Sequence, residues 1–372
     1  MSDNRSLIGG RRDDESLRDS SLYTVSSNRP RGDELFQQRV SAIEKILPSY
    51  LETPIEKIRD ARAHIVAVGL GSSKAHAQFL QHLINQYTDH TCTVASPTDF
   101  IGAQRPTVEG KTIALFSQGL SQNSHPTLRV MIEQGHGVLL TATDVSDESV
   151  GQQKRDILRA ALEKGIDRVS FPIASEYEIL ARVVGPFFGY VAAYRFVSES
   201  LNSRLPKVSL DQLLPVFVGA EEAGRQLAER VGLTEKQIKI VTLPPTNQYA
   251  HNLAEKIKEG LFLPRPELVD LLEFDHGAFQ NACALGSHTI ILSHHGAEDS
   301  VVQALKRITN SSKEVSIPEP VIISASQDVR PELRILFYEM AFNHWVAKQL
   351  ESSEVDQVRW PGKGHEPNYS LS

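Results

Sequence analysis

From residue 34 onward the apolar positions follow two rhythms in turn. Phe36, Val40, Ile43, Ile46 and Leu47 fall three or four residues apart, which predicts a helix up to Pro48; a second helical stretch runs to Ala63. Short apolar runs then alternate with amphipathic segments. Strands are predicted over 64–69, 92–96, 112–117, 137–143 and 168–172, with helices over 74–87, 127–134 and 176–201. Pro206 and Lys207 mark a boundary, and a helix over 213–230 opens a second round. That round has strands over 238–243, 271–274, 289–294 and 321–325, and helices over 249–261, 299–309 and 333–350. Apolar strands separated by amphipathic helices predict an α/β protein of two tandem modules, each a parallel sheet flanked by helices. The modules span 33–205 and 206–351, between an N-terminal tail of 1–32 and a C-terminal tail of 352–372.

The tail of 1–32 is rich in Ser, Arg, Asp and Asn and is expected to be disordered, because it has little apolar surface to offset its ordering entropy. Its Arg31-Gly32-Asp33 triplet can be read as an adhesion motif, but no adhesion role is expected where no secretion signal is recognised. Among 372 residues, 40% are hydrophobic and 23% charged, the composition of a soluble globular protein. A net charge of −7 gives no basic field for nucleic acid or an anionic membrane. The apolar stretch 183–197, broken by Gly185, Pro186, Gly189 and Arg195, reads as a buried helix rather than a membrane span. Two cysteines, Cys92 and Cys283, are too few for a disulfide framework, so a cytoplasmic location is expected.

Two loops stand where a strand hands over to a helix. Gly69-Leu70-Gly71-Ser72-Ser73 and Ser117-Gln118-Gly119-Leu120-Ser121-Gln122-Asn123-Ser124 could turn amide N–H groups and hydroxyls onto one anion. Taken singly, each loop also fits plain helix capping. Further on, Lys256 and Glu259 share a helix face, a pattern that by itself describes an ordinary solvated surface. His276 follows seventeen residues after Glu259 within Glu273-Phe274-Asp275-His276-Gly277, and Lys363 ends the run 355–363. The adjacent His294 and His295 point to opposite faces of a strand, and no second ligand cluster has zinc spacing, so no metal site is expected. No cofactor motif is recognised.

These motifs, in this order, resemble the isomerase half of glucosamine-6-phosphate synthase, within the sugar-isomerase (SIS) family. There the corresponding motifs read roughly K-L-K-E, E-L-K-H-G and V-D-x-P-R-x-L-x-K. Val355, Asp356, Gln357, Arg359 and Lys363 keep their places in the last of them, and Asn247-Gln248-Tyr249 matches an N-Q-Y ahead of the catalytic helix. Gly71, Ser72 and Ser73 match a family loop reading G-[TS]-S. Ser117 and Gln118 begin the loop that the family writes S-Q-S-G-E-T; Ser121 or Ser124 is a candidate for a lost hydroxyl. The chain departs from the pattern at 119–122, at Asn252 in place of a glutamate, and around 178–184, where an S-T-K segment is not recognisable.

The resemblance implies tandem SIS modules, a sugar phosphate held by the two serine loops, and chemistry at C1 and C2. Glu259 would shuttle the proton, with Lys256 stabilising an oxyanion or orienting Glu259. His276 would open the ring from a neighbouring subunit, so a homodimer with a shared site is expected. Lys363 would approach the carbonyl end, where an amine can form an imine. No amidotransferase half is expected. The implied activities are fructosamine phosphate deglycation or amino-sugar isomerisation and deamination, with a non-catalytic sugar-phosphate sensor as the alternative. The C-terminal tail has so few apolar residues that its removal is expected to leave both modules folded.

Overall fold

The computed structural model describes residues 32–363 except 56, 57, 59, 60, 102–105, 148, 149, 173–177, 234, 235 and 362. The tail of 1–31 therefore lies outside the described residues. Helix α1 spans Asp33–Glu52 and runs straight through Pro48. Proline supplies no N–H to the helix ladder, but Leu47 and Tyr50 on either side of it are buried. The carbonyls of Tyr50 and Thr53, at the helix end, accept hydrogen bonds of 2.7 Å from the Arg195 guanidinium. The second helical stretch expected before Ala63 does not form at its described positions. Pro54 disfavours helix in the residue before it, and the chain turns out there.

The first sheet is wholly parallel. β1 (His64–Val68) leads to α2 (Ser72–Tyr87) and β2 (Thr91–Ala95), then β3 (Thr112–Phe116), α3 (His125–Gln134) and β4 (Val138–Thr141). α4 (Gln152–Glu163), β5 (Asp167–Ser170) and α5 (Val184–Ser200) complete the module, with strand order β2-β1-β3-β4-β5. Chain direction across the sheet reverses between β1 and β3, so the loops leaving those two strands flank the crevice where such sheets bind ligands. In the second module α6 (Leu210–Phe217) and α7 (Ala220–Arg230) precede β6 (Ile238–Thr242), α8 (His251–Leu261) and β7 (Glu267–Asp270). A single turn, α9 (Leu271–Glu273), α10 (Phe279–Leu285), β8 (His288–His294), α11 (Asp299–Glu314), β9 (Val321–Ala325) and α12 (Arg334–Ser352) follow, with order β7-β6-β8-β9.

Three further expectations are corrected. The helix expected over 213–230 is two, broken at Gly219, whose φ of +77° lies in the left-handed region. The strand expected over 271–274 lies earlier, at β7, because the Asp270 carboxylate accepts a 2.9 Å bond from the Leu272 N–H and starts a helical turn instead. Helix α5 begins at Val184 rather than near 176, with Pro186 in its first turn, where a missing N–H costs nothing. Helix α4 was not anticipated, although Leu158 and Ala161 mark its buried face.

Alternate residues of the first sheet face different cores. Val66, Val68, Ile113 and Leu115 pack with the α3 and α4 side, whereas Ile65, Ala67, Ala114 and Phe116 face α2 and α5. The second sheet adds Ile238, Ile240, Ile290 and Leu292 to that same cluster, through α7, α8 and α12. The two sheets therefore share one central helical core. Phe79 of α2 meets Tyr249 edge to face at 5.0 Å, and the Tyr190 hydroxyl of α5 donates to the Tyr249 carbonyl at 2.8 Å. No described helix is long and apolar enough to cross a membrane.

Candidate active site

At the switch point of the first sheet the chain must turn sharply from β1 into α2. A Cβ on Gly69 would come within 2.1 Å of the Ser73 carbonyl oxygen, so the turn requires glycine. Gly71, with φ +58°, then opens α2, and Ser72 and Ser73 form its first turn. After β3, the Ser117 N–H donates to Leu140 O at 3.0 Å and the Gln118 carbonyl accepts from the Ala142 N–H at 3.1 Å, which ties the second loop to β4. Leu120 is fully buried at φ +46°, so the loop reverses there and presents Ser121 and Asn123.

Both loops meet at a cavity of about 200 Å³ lined by Ser72, Ser73, Ser117, Gln118 and Ser121. Gly71, the residue before α2, is not among the lining residues. Asn123, Ser124, Lys154 and Arg182 complete the polar wall, and no carboxylate lines it. Hydroxyls, amides, two cations and the start of a helix meet there, groups whose chemistry suits a dianion. A Cβ on Gly185 would fall 2.2 Å from the Gln118 Nε2, so the first turn of α5 leaves room for that side chain.

Arg182 connects this cradle to α8. Its guanidinium donates to Ile179 O at 2.6 Å, and its own carbonyl accepts from the Lys256 Nζ at 3.0 Å. The Arg182 charge also acts on Glu259, in the last turn of α8. Burial is the main cause that lifts the Glu259 pKa above the ordinary carboxylate value; the neighbouring Glu255 adds to it, and Lys258, Arg182 and Lys256 oppose it. A carboxylate so placed is poised to accept and return a proton.

Lys256 does not face the open cleft. Its ammonium is buried against Glu339 Oε1 of α12 at 2.7 Å and also donates to the Asn343 side chain. Asn252, which stands where the resembled motif has a glutamate, donates to the other Glu339 oxygen at 2.8 Å. This lysine pins α8 to α12; orienting Glu259 fits that position, and direct contact with an oxyanion does not.

His276 is exposed in a kinked π-helical turn, Phe274–Ala278, where Gly277 has φ +98°. The lining of the serine-loop cavity includes neither His276, Glu259 nor Lys363. The Lys363 ammonium folds back on its own turn, donating to Val358 O at 2.7 Å and lying 4.3 Å from the Trp360 ring centre. Upstream, the tail is packed rather than free: Gln357 is fully buried, and Val355 and Val358 pack against the core. The expectation that this tail matters to neither core is therefore corrected.

Sequence reasoning missed Lys154 and Arg182. Lys154 came with the unanticipated α4. Arg182 sits where no family motif was recognisable, and only the fold brings it beside the serine loops. Within Asn247-Gln248-Tyr249, Tyr249 is a buried packing residue at the contact between modules.

Two α/β modules joined through a common helical core, with serine-rich strand exits at the first switch point, form a tandem SIS-type fold. No family model and no curated protein matches the chain by sequence. Solved structures do match. The C-terminal domain of glucosamine-fructose-6-phosphate aminotransferase from Francisella tularensis is 14% identical with a TM-score of 0.62, covering 90% of this chain and 100% of that one. Tagatose-6-phosphate ketose/aldose isomerase from Escherichia coli is 14% identical with a TM-score of 0.59, covering 91% and 97%. Glucosamine-6-phosphate deaminase from Thermotoga maritima is 14% identical with a TM-score of 0.58, covering 87% and 96%. At such identity the likeness shows the shared fold.

Proposed function

We propose that the protein is a cytoplasmic sugar-phosphate enzyme acting at C1 and C2 of a fructosamine phosphate, as a deglycase. Isomerisation or deamination of an amino-sugar phosphate is the neighbouring activity of the same site. The observation that carries this reading is the position of Arg182: its side chain lines the serine-loop cavity, and its charge acts on the raised carboxyl of Glu259. A sugar anchored by its phosphate at the loops would extend its other end toward α8. Glu259 takes a proton from C1 of the open-chain ketoamine and returns one to C2, leaving a C1 imine. Water adds to that imine and releases the amine, giving a hexose phosphate. His276, exposed on its kinked turn, opens the ring of substrate bound to a partner subunit, and the active species is a homodimer. Lys363 reaches the carbonyl end only after leaving Val358 and Trp360.

One observation favours the alternative of a sugar-phosphate sensor. The amines of Lys256 and Lys363 are both engaged with protein groups, a buried carboxylate and a local turn. A panel of phosphorylated fructosamines and amino sugars, scored separately for released amine and for hexose phosphate, decides between them. Release of both products in equal amounts from the fructosamines supports deglycation, and the same release from the amino sugars supports deamination. Tight binding of a sugar phosphate with no product from any of the panel would establish the sensor and end the catalytic reading.

A further inference from the structure

The fully buried Gln357 uses every polar atom of its side chain between two segments that the proposed site depends on. Its Nε2 donates to the carbonyls of Glu259 and Gly260, both at 2.9 Å. Its Oε1 accepts from the Ala181 N–H at 3.0 Å, and its backbone carbonyl accepts from the Leu180 N–H at 3.1 Å. The last carbonyls of a helix have no partner within it, so the amide caps the turn of α8 that carries Glu259. The same amide holds the residue immediately before Arg182. From the other side, the tail is closed by the start of α1: a Cβ on Gly32 would lie 2.8 Å from Val358 Cγ2 and 3.4 Å from Gln357 Cβ. Asp356 keeps the following turn in shape, accepting from the Val358 and Arg359 N–H groups at 2.9 and 2.7 Å.

We infer that Gln357 is a positioning residue that sets Glu259 and Arg182 at a fixed separation, so that the C-terminal tail governs the geometry between proton shuttle and phosphate cradle. The inference rests on the catalytic reading above. Only a side chain with two N–H donors and one acceptor at this length satisfies all three groups. Methionine keeps the volume and loses the bonds. Glutamate turns an acceptor toward the two carbonyls, and asparagine is one methylene short. A misplacement on the order of 1 Å can lower turnover by roughly 10²-fold.

The test uses the full-length chain with Q357M and Q357E. Hydrogen exchange, read without any substrate, should rise together at 179–182 and 257–262 in Q357M, and rise more in Q357E, while α3 stays as in the unsubstituted protein. Exchange that rises at one segment only, or at neither, overturns the coupling. Well below its melting temperature, Q357M should bind glucose 6-phosphate more weakly, by up to about tenfold, because the loosened segment carries Arg182 of the cavity wall. Its kcat on the substrate found by the panel should fall at least tenfold, with KM raised as well. A lowered melting temperature with normal kcat would make Gln357 a structural plug only, and the positioning claim would fall. Should the unsubstituted protein turn over nothing in the panel, the catalytic reading fails on that result alone, and the exchange data still decide the coupling.

Discussion

Glu259 shows at the scale of one residue how a surface-like pattern folds into a half-buried carboxyl. Its spacing from Lys256 describes an exposed helix face, yet the fold half-buries the carboxyl and raises its pKa through desolvation and Glu255. A base acts only when deprotonated, so kcat should fall with acidity around a midpoint above the ordinary carboxylate value. E259Q should lose at least about 10²-fold in kcat, the usual contribution of a general base, and full activity in the folded variant would remove the assignment. The stability sign runs the opposite way. A carboxyl whose folded pKa is raised contributes stability below its unfolded pKa and loses it as pH rises through the folded value. E259Q should therefore melt higher than the unsubstituted protein at pH 7, with that advantage gone below about pH 4. His76 provides a second pH lever. Burial lowers its pKa to about 4, and its Nε2 faces the Pro186 carbonyl at 2.8 Å. Stability from this neutral imidazole is present above pH 6.5 and lost as pH falls toward 4. Melting curves from pH 7 to 4 should show that decline.

At the scale of elements, α4 and the segment before α5 supply the two charges of the cradle. Lys154 is one turn into α4, and Arg182 is held by hydrogen bonds that keep 178–183 out of the helix. K154M should raise KM for a phosphorylated substrate by about tenfold, the scale of one charge-assisted hydrogen bond, and leave kcat nearly unchanged. R182M should raise KM and also lower kcat, because Arg182 acts on Glu259 as well. Equal effects of the two substitutions on kcat would contradict that division. Strands β1, β3, β6, β8 and β9 were legible because continuous apolar runs between glycine- or serine-bearing turns have few other readings. The β7 position was misread because Leu271 and Phe274 are buried at helical spacing after an Asp270 cap.

For the whole molecule, the shared helical core predicts that the two modules unfold together. The cluster that contains β1 and β3 residues also contains those of β6 and β8, so calorimetry should show a single transition. Two well-separated transitions would show that the modules are energetically independent. Removal of residues from Val355 onward uncovers apolar surface beside Gly32 and leaves the Glu259 and Gly260 carbonyls uncapped. The truncated protein should melt several degrees lower, the consequence of losing about 1–2 kcal/mol from a domain of this size. It should also lose turnover. An unchanged melting temperature would contradict the packing described for the tail.

The two-module plan, most of the strands and helices and the glycine-dependent turns at the serine loops were legible in the sequence, whereas Glu259, His276 and Lys363 were candidates only through the family resemblance. Local periodicity and turn chemistry act over a few residues, and a one-dimensional pattern records them. Which charges meet was decided only by the tertiary structure. The sequence alone does not tell that Lys256 is buried on Glu339, that Lys154 and Arg182 face the serine loops, or that Gln357 joins α8 to the segment before α5. The Gln357 side-chain contacts join residues 97 to 176 positions apart, so they depend on the packing of two sheets around one core.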